Sequence, residues 1–126
     1  MNGEIREWLS RFEATVRVCD FDTARALFAA DAIAFGTRAE KAEGLDRIAA
    51  DQWQHVWPHI RDFRLRDPVV QVHGDMAWIA TIWETARPER SRAPRCGRGT
   101  FVLERRDGRW LAVHSHFSLV PEDPQL

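Results

Sequence analysis

Near Phe63 the hydrophobic period of the chain changes, and that change limits what it can fold into. Upstream, Ile5, Trp8, Leu9, Phe12 and Val16 recur at helical spacing, so the first ~18 residues read as one amphipathic helix. Asp20 and Asp22 are N-cap candidates for a second, shorter helix with Phe21, Ala24, Leu27 and Phe28 on its apolar face. "AIAFG" then reads as a brief strand or edge segment, and "TRAEKAEG" as a charged, unpatterned loop. A third helix begins near Gly44: Leu45, Ile48, Ala49, Gln52, Trp53 and Val56 share a face, Trp57 sits beside them, and Pro58 stops the helix.

Downstream of Phe63 the pattern becomes that of strands. "RLRDPVVQVHGDMAWIATIWETA" holds two β-rich runs around His73-Gly74-Asp75, and "GRGTFVLERRDGRWLAVHSHFS" holds two more around Asp107-Gly108. Three helices followed by a four-stranded meander predict an α+β fold, with the helices on one face of a curved sheet. No repeat or linker interrupts the pattern, so residues 1–126 read as a single domain.

A chain of 126 residues buries roughly two-thirds of the surface its unfolded form exposes, and needs no covalent staple. Cys19 and Cys96 lack a C-x-x-C spacing and follow no signal-like apolar segment, which leads us to expect a reduced, cytoplasmic setting. No apolar run approaches the ~20 residues that span a bilayer, so no membrane partner is expected. A net charge of −1 lacks the cationic surplus on which nucleic-acid affinity rests. Six Trp and seven Phe against no Tyr favour large apolar surfaces over phenolic hydrogen bonding.

The last hairpin decides which side chains face the core. A two-residue Asp107-Gly108 loop pairs Arg106 with Arg109 and mixes charged and apolar groups on both faces. A three-residue loop, with Arg106-Asp107 as a type I turn and Gly108 as a left-handed bulge residue, pairs Arg105 with Arg109 and sorts them better. The predicted inner face then carries Phe101, Leu103, Leu111, Val113, Ser115 and Phe117. The outer face carries Trp110, Ala112, His114 and His116, with Thr100, Val102, Glu104 and Ser118.

His114 and His116 thus point the same way, but no nearby Cys, Asp or Glu completes the three or four ligands a zinc site requires, so neither metal nor cofactor is expected. Ser115 faces the other side and lies in no Gly-x-Ser-x-Gly elbow, which argues against a hydrolase triad. The five arginines from Arg87 to Arg98 read as a solvated loop or, more sharply, as an anion-gathering lid. In "MAWIATIWETA" both parities are apolar, so both faces of that strand should be covered. Helices cover one. We therefore expect a homodimer through the face with Trp78, Ile82, Trp110, His114 and His116, its association weakened when the histidines protonate.

"DFDTARALFAADAIAFG", "EGLD", "DPVVQVHGDMAWIATIW" and "RRDGRWLAVHSHFS", in that order and spacing, resemble the nuclear transport factor 2-like superfamily. The likeness is to its SnoaL-like and calcium/calmodulin-dependent kinase II association-domain branches, and runs nearly end to end. It implies a cone-shaped fold in which a strongly bent, mainly antiparallel sheet is wrapped by three N-terminal helices around a pocket. Matching pocket positions of the kinase association domain places Trp83, Phe101 and Phe117 where that domain has charged residues, and Ile48 where it has a histidine. Adding Trp53 and Trp57 from the third helix gives the expected ligand-binding set: Ile48, Trp53, Trp57, Trp83, Phe101 and Phe117.

The ketosteroid isomerases of the superfamily use a carboxylate base whose position falls here at about Gly36, and a Tyr that this chain lacks. His59, Asp62 and Glu84 are the remaining acid/base candidates, and no catalytic residue is assigned. The expected function is binding of a small hydrophobic molecule, as a binder or as a cyclase, isomerase or hydratase. The alternative is a non-catalytic oligomerisation module with a filled aromatic core.

Overall fold

The computed structural model describes residues 2–86 and 95–121. Helices α1 (Asn2–Val18) and α2 (Phe21–Ala26) lead into strands β1 (Phe28–Phe35) and β2 (Ala42–Glu43). The third helix starts as α3 (Leu45–Ile48), widens into a π-helix over Ala49–Trp53, returns to an α-turn over Gln54–Val56, and closes as a 3-10 turn over Trp57–His59. Strands β3 (Arg64–His73), β4 (Met76–Thr85), β5 (Arg95–Arg106) and β6 (Arg109–Leu119) follow. The sheet has six strands in the order β2-β1-β6-β5-β4-β3, antiparallel except where β1 runs parallel to β6. This is the expected α+β architecture, a cone-shaped sheet with helices packed inside its curve.

Local chemistry sets the element ends. Asp20, rather than Asp22, caps α2: its carboxylate accepts from the Thr23 hydroxyl (2.6 Å) and the Thr23 amide (3.2 Å). Those two bonds, the hydroxyl's first, hold the carboxyl below its usual range. β1 begins at Phe28, earlier than "AIAFG" suggests, so Phe28 belongs to a strand and not to the helix face assigned to it. Pairing with β6, a partner distant in sequence, overrides the helical spacing there. Part of the segment read as unpatterned loop forms β2, which pairs with β1.

Irregularities bend the sheet. In β3 the register shifts between Arg66 and Val69, where Asp67 has φ 53° and precedes Pro68. The Arg66 carbonyl accepts from the Thr81 hydroxyl at this bulge (2.7 Å). The β5–β6 hairpin differs from the expected one. Arg106 pairs with Arg109, and Asp107 (φ 52°) and Gly108 (φ 76°) are both left-handed, as a two-residue type I′ turn demands. The extra residue lies inside β6 instead: Leu103 pairs with Ala112 and Val102 with His114, leaving Val113 unopposed.

That bulge switches the parity of β6. Trp110 and Ala112 face inward before it, and Ser115 and Phe117 after it. Leu111 and Val113 are accordingly not core residues, and Trp110 is not on the outer face. Trp110 is buried, donates its indole N–H to Glu4 of α1 (2.7 Å), and carries the Arg105 guanidinium 5.3 Å above its ring.

The core is a nest of rings around Phe12 of α1. Trp8, Phe28, Trp57, Phe63, Phe101 and Phe117 all have ring centroids within 6.5 Å of it. A left-handed Gly108 makes Gly108→Val costly, because a β-branched residue at positive φ is strained. The variant should unfold with a stability lower by ~1 kcal/mol or more, as checked by urea titration.

Candidate functional site

Between the third helix and the open end of the sheet lies a cavity of about 340 Å³. The inward face of β5 sets how one of its walls is packed. Gly97 pairs with Trp83 and Leu119, and Gly99 with Thr81 and Phe117, so two successive inward positions of β5 carry no side chain. Flat rings occupy that room. A Cβ on Gly97 would sit 2.4 Å from the Trp83 ring and 2.0 Å from the Ser118 carbonyl oxygen, and one on Gly99 3.4 Å from the Phe117 ring. Trp83 therefore lies close over Gly97, with its indole N–H donating to the Ser118 carbonyl (3.2 Å), and it stacks on Phe117 at 6.4 Å and 22°. These two rings form one wall of the cavity.

The third helix supplies the opposite wall. The wide turn of the π-helix brings Ile48, Trp53 and Trp57 inward, with Trp53 and Trp57 stacked at 4.8 Å. Gln52, in the same turn, holds the loop that follows β1. Its carbonyl oxygen accepts from the amides of Arg38 and Ala39 (2.8 Å each), while its amide donates to the Thr37 hydroxyl (3.0 Å). A Cβ at Gly36 would lie 2.4 Å from the Gln52 carboxamide, so a side chain there would displace that carboxamide from the loop.

Of the six expected ligand contacts, Ile48, Trp53, Trp57, Trp83 and Phe117 line the cavity. Phe101 does not. It is fully buried one row deeper in the sheet, edge-on to Trp8, Phe12 and Phe117. The rings of Trp8, Phe12 and Phe117 close over it, whereas its cross-strand partner Ser115 reaches the cavity. Phe63 and Ser115 also line the cavity, Ser115 from the inner face expected for it, and Gly97 and Gly99 lie behind the Trp83 and Phe117 wall. Glycine alternation in "CGRGTF" was the available signal, since glycine within a strand marks close approach of another group.

The polar groups divide into two sets. Ser115 is buried (6% exposed), lines the cavity, and its hydroxyl bonds to no described residue. Arg38, His55, His59 and Arg95 lie exposed at the mouth. Of the acid/base candidates, His59 lines this rim, whereas Asp62 is exposed and not part of the lining. Glu84 faces outward and pairs with Arg66 (3.3 Å). No Asp or Glu lines the cavity among the described residues. The arginine-rich lid falls mostly on residues 87–94, outside the described residues, while Arg95 and Arg98 belong to β5.

His114 and His116 face outward, edge-on to Phe35 at 5.2 and 5.4 Å. The His114 Nδ1–H donates to the Ile33 carbonyl (2.8 Å), which fixes that ring. Among the described residues no group of three or more His, Cys, Asp or Glu is placed to hold a metal ion. Nor is any described helix long and apolar enough to cross a membrane.

A bent sheet closing over an aromatic cavity defines the class, and the comparisons agree with it. The family model of the SnoaL-like domain matches residues 5–122, and the chain belongs to that family. A comparison with curated proteins gives no match. Among solved structures, a nuclear transport factor 2-like protein of unknown function from Pseudomonas putida is 26% identical with a TM-score of 0.84, covering 98% of this chain and 88% of that one. A candidate ketosteroid isomerase from Shewanella frigidimarina (19% identity, TM-score 0.77, 89% and 92% covered) shares the fold. So does a candidate calcium/calmodulin-dependent protein kinase II association domain from Xanthomonas campestris (19%, 0.78, 95% and 88%).

Phe12 and Phe117 both line the cavity, and their different burial should separate them in mutant stabilities. Phe12→Ala removes a side chain enclosed by six rings and should cost ~3–5 kcal/mol. Phe117→Ala, half-buried beside existing space, should cost clearly less in the same denaturant titration.

Proposed function

We propose that the protein binds a small hydrophobic molecule in this cavity, held by Ile48, Trp53, Trp57, Trp83 and Phe117. The observation that carries the reading is the cavity of about 340 Å³ itself, walled by Trp83 and Phe117 on one side and by Trp53 and Trp57 on the other. A volume of about 340 Å³ is at the small end of ligand pockets, and a lining that includes seven Phe and Trp residues, with its charged groups exposed at the rim, suits a guest with an apolar body. The Ser115 hydroxyl offers one hydrogen bond at depth. This favours binding over a filled-core module. It also favours a binder over a cyclase, isomerase or hydratase with a buried carboxylate, since the ionisable lining groups lie at the rim. Calorimetric titration with neutral 2-naphthamide should show saturable one-to-one binding, and Ser115→Leu, which fills the cavity, should abolish it in a folded protein. Absence of saturable binding to the wild type overturns the reading.

A second copy of the chain is the proposed partner of the outer sheet face. Two rows cross that face, Ile33-His114-Val102-Trp78-Gln71 and Phe35-His116-Thr100-Ala80-Val69. Trp78 (40% exposed), Val69 (51%) and Phe35 (37%) make it unusually apolar for a free surface, and Ile82 extends the patch. Trp110 takes no part, because it packs against α1. Trp78→Glu should convert a dimer to monomer without unfolding, as read by sedimentation at micromolar concentration. A monomeric wild type ends this proposal.

A further inference from the structure

We infer that the guest of the cavity is an amphipathic organic anion, with an apolar ring body inside and a carboxylate at the mouth among Arg38, Arg95, His55 and His59. This rests on the small-molecule reading above and adds the charge of the ligand. Topology gathers the four cationic or protonatable groups from separate elements. Arg38 follows the end of β1, Arg95 begins β5, and His55 and His59 lie on the last turns of the third helix. All four line the cavity that Trp53, Trp57, Trp83 and Phe117 wall. No acidic residue opposes them in the described lining, and neither arginine forms a salt bridge with a described residue. Glu40 is the nearby acid; it lines an adjoining shallow groove that shares Phe35, Gly36, Thr37, Phe117 and Leu119 with the cavity.

The mouth is also held in place. Gln52 accepts the Arg38 amide, so the loop carrying this guanidinium is tied to the π-helix before any ligand arrives. A rim of one charge sign beside low-dielectric walls concentrates the field on the entering group. The planar guanidinium fork matches a carboxylate in two parallel hydrogen bonds, which an uncharged amide cannot reproduce at full strength. Ser115, at depth, is left to a second oxygen on the body of the guest.

Calorimetric titration at low ionic strength compares 2-naphthoate with 2-naphthamide, which have the same ring body. The acid should bind about fivefold or more tighter, an advantage that about 0.5 M salt removes. In the Arg38→Gln/Arg95→Gln double variant the acid should fall to the affinity of the amide, while the amide, which reports an intact cavity, stays within twofold. Equal binding of both compounds to the wild type overturns the inference and leaves the hydrophobic cavity standing. Acid preference that survives in the double variant overturns the assignment to these arginines. Binding of neither compound removes the small-molecule reading itself.

Discussion

Everything else in the fold is arranged around the burial of Phe12. Its ring is met by Trp8 from the same helix, Phe28 from β1, Trp57 from the third helix, Phe63 from the approach to β3, Phe101 from β5 and Phe117 from β6. Edge-to-face and offset ring pairs add about 0.5–1.5 kcal/mol each beyond simple burial, and here they fix angles as well as distances. Each layer is oriented by the same ring, so the position of Phe117 at the cavity wall is inherited from the core beneath it.

An aromatic core without tyrosine must still satisfy its indole N–H groups, and three of them are placed by doing so. Trp8 donates to the Leu27 carbonyl, Trp83 to the Ser118 carbonyl and Trp110 to the Glu4 carboxylate. The Trp83 bond is possible only because Gly97 lets the ring lie on the sheet. Packing and cavity are therefore linked: the glycines admit the rings, and the rings form a wall of the cavity.

The fold class, the three-helix and β-rich halves and the outward histidines were legible in the chain from hydrophobic period and residue type, whereas Ile48, Trp83 and Phe117 of the cavity wall were implied by the family resemblance. The hairpin was not. A two-residue turn followed by a bulge at Val113 and a three-residue turn without one give the same inward Ser115 and Phe117, but opposite assignments for Trp110 and Ala112. Phe101 illustrates the same limit, since an inward aromatic residue can be wall or core, and only the rings that close over it decide.

What the sequence by itself determined is therefore local: which stretches are helical or extended, where turns fall, and that too many large rings are present for a surface to carry. The location of the bulge, the parity of β6, and the alignment of Gly97 and Gly99 with Trp83 and Phe117 were decided by tertiary structure. The physical reason is that a strand's faces alternate with every residue, so one extra residue exchanges inside for outside. Its position is chosen by whichever register lets distant side chains, Trp110 against Glu4 and Phe117 against Phe12, bury together.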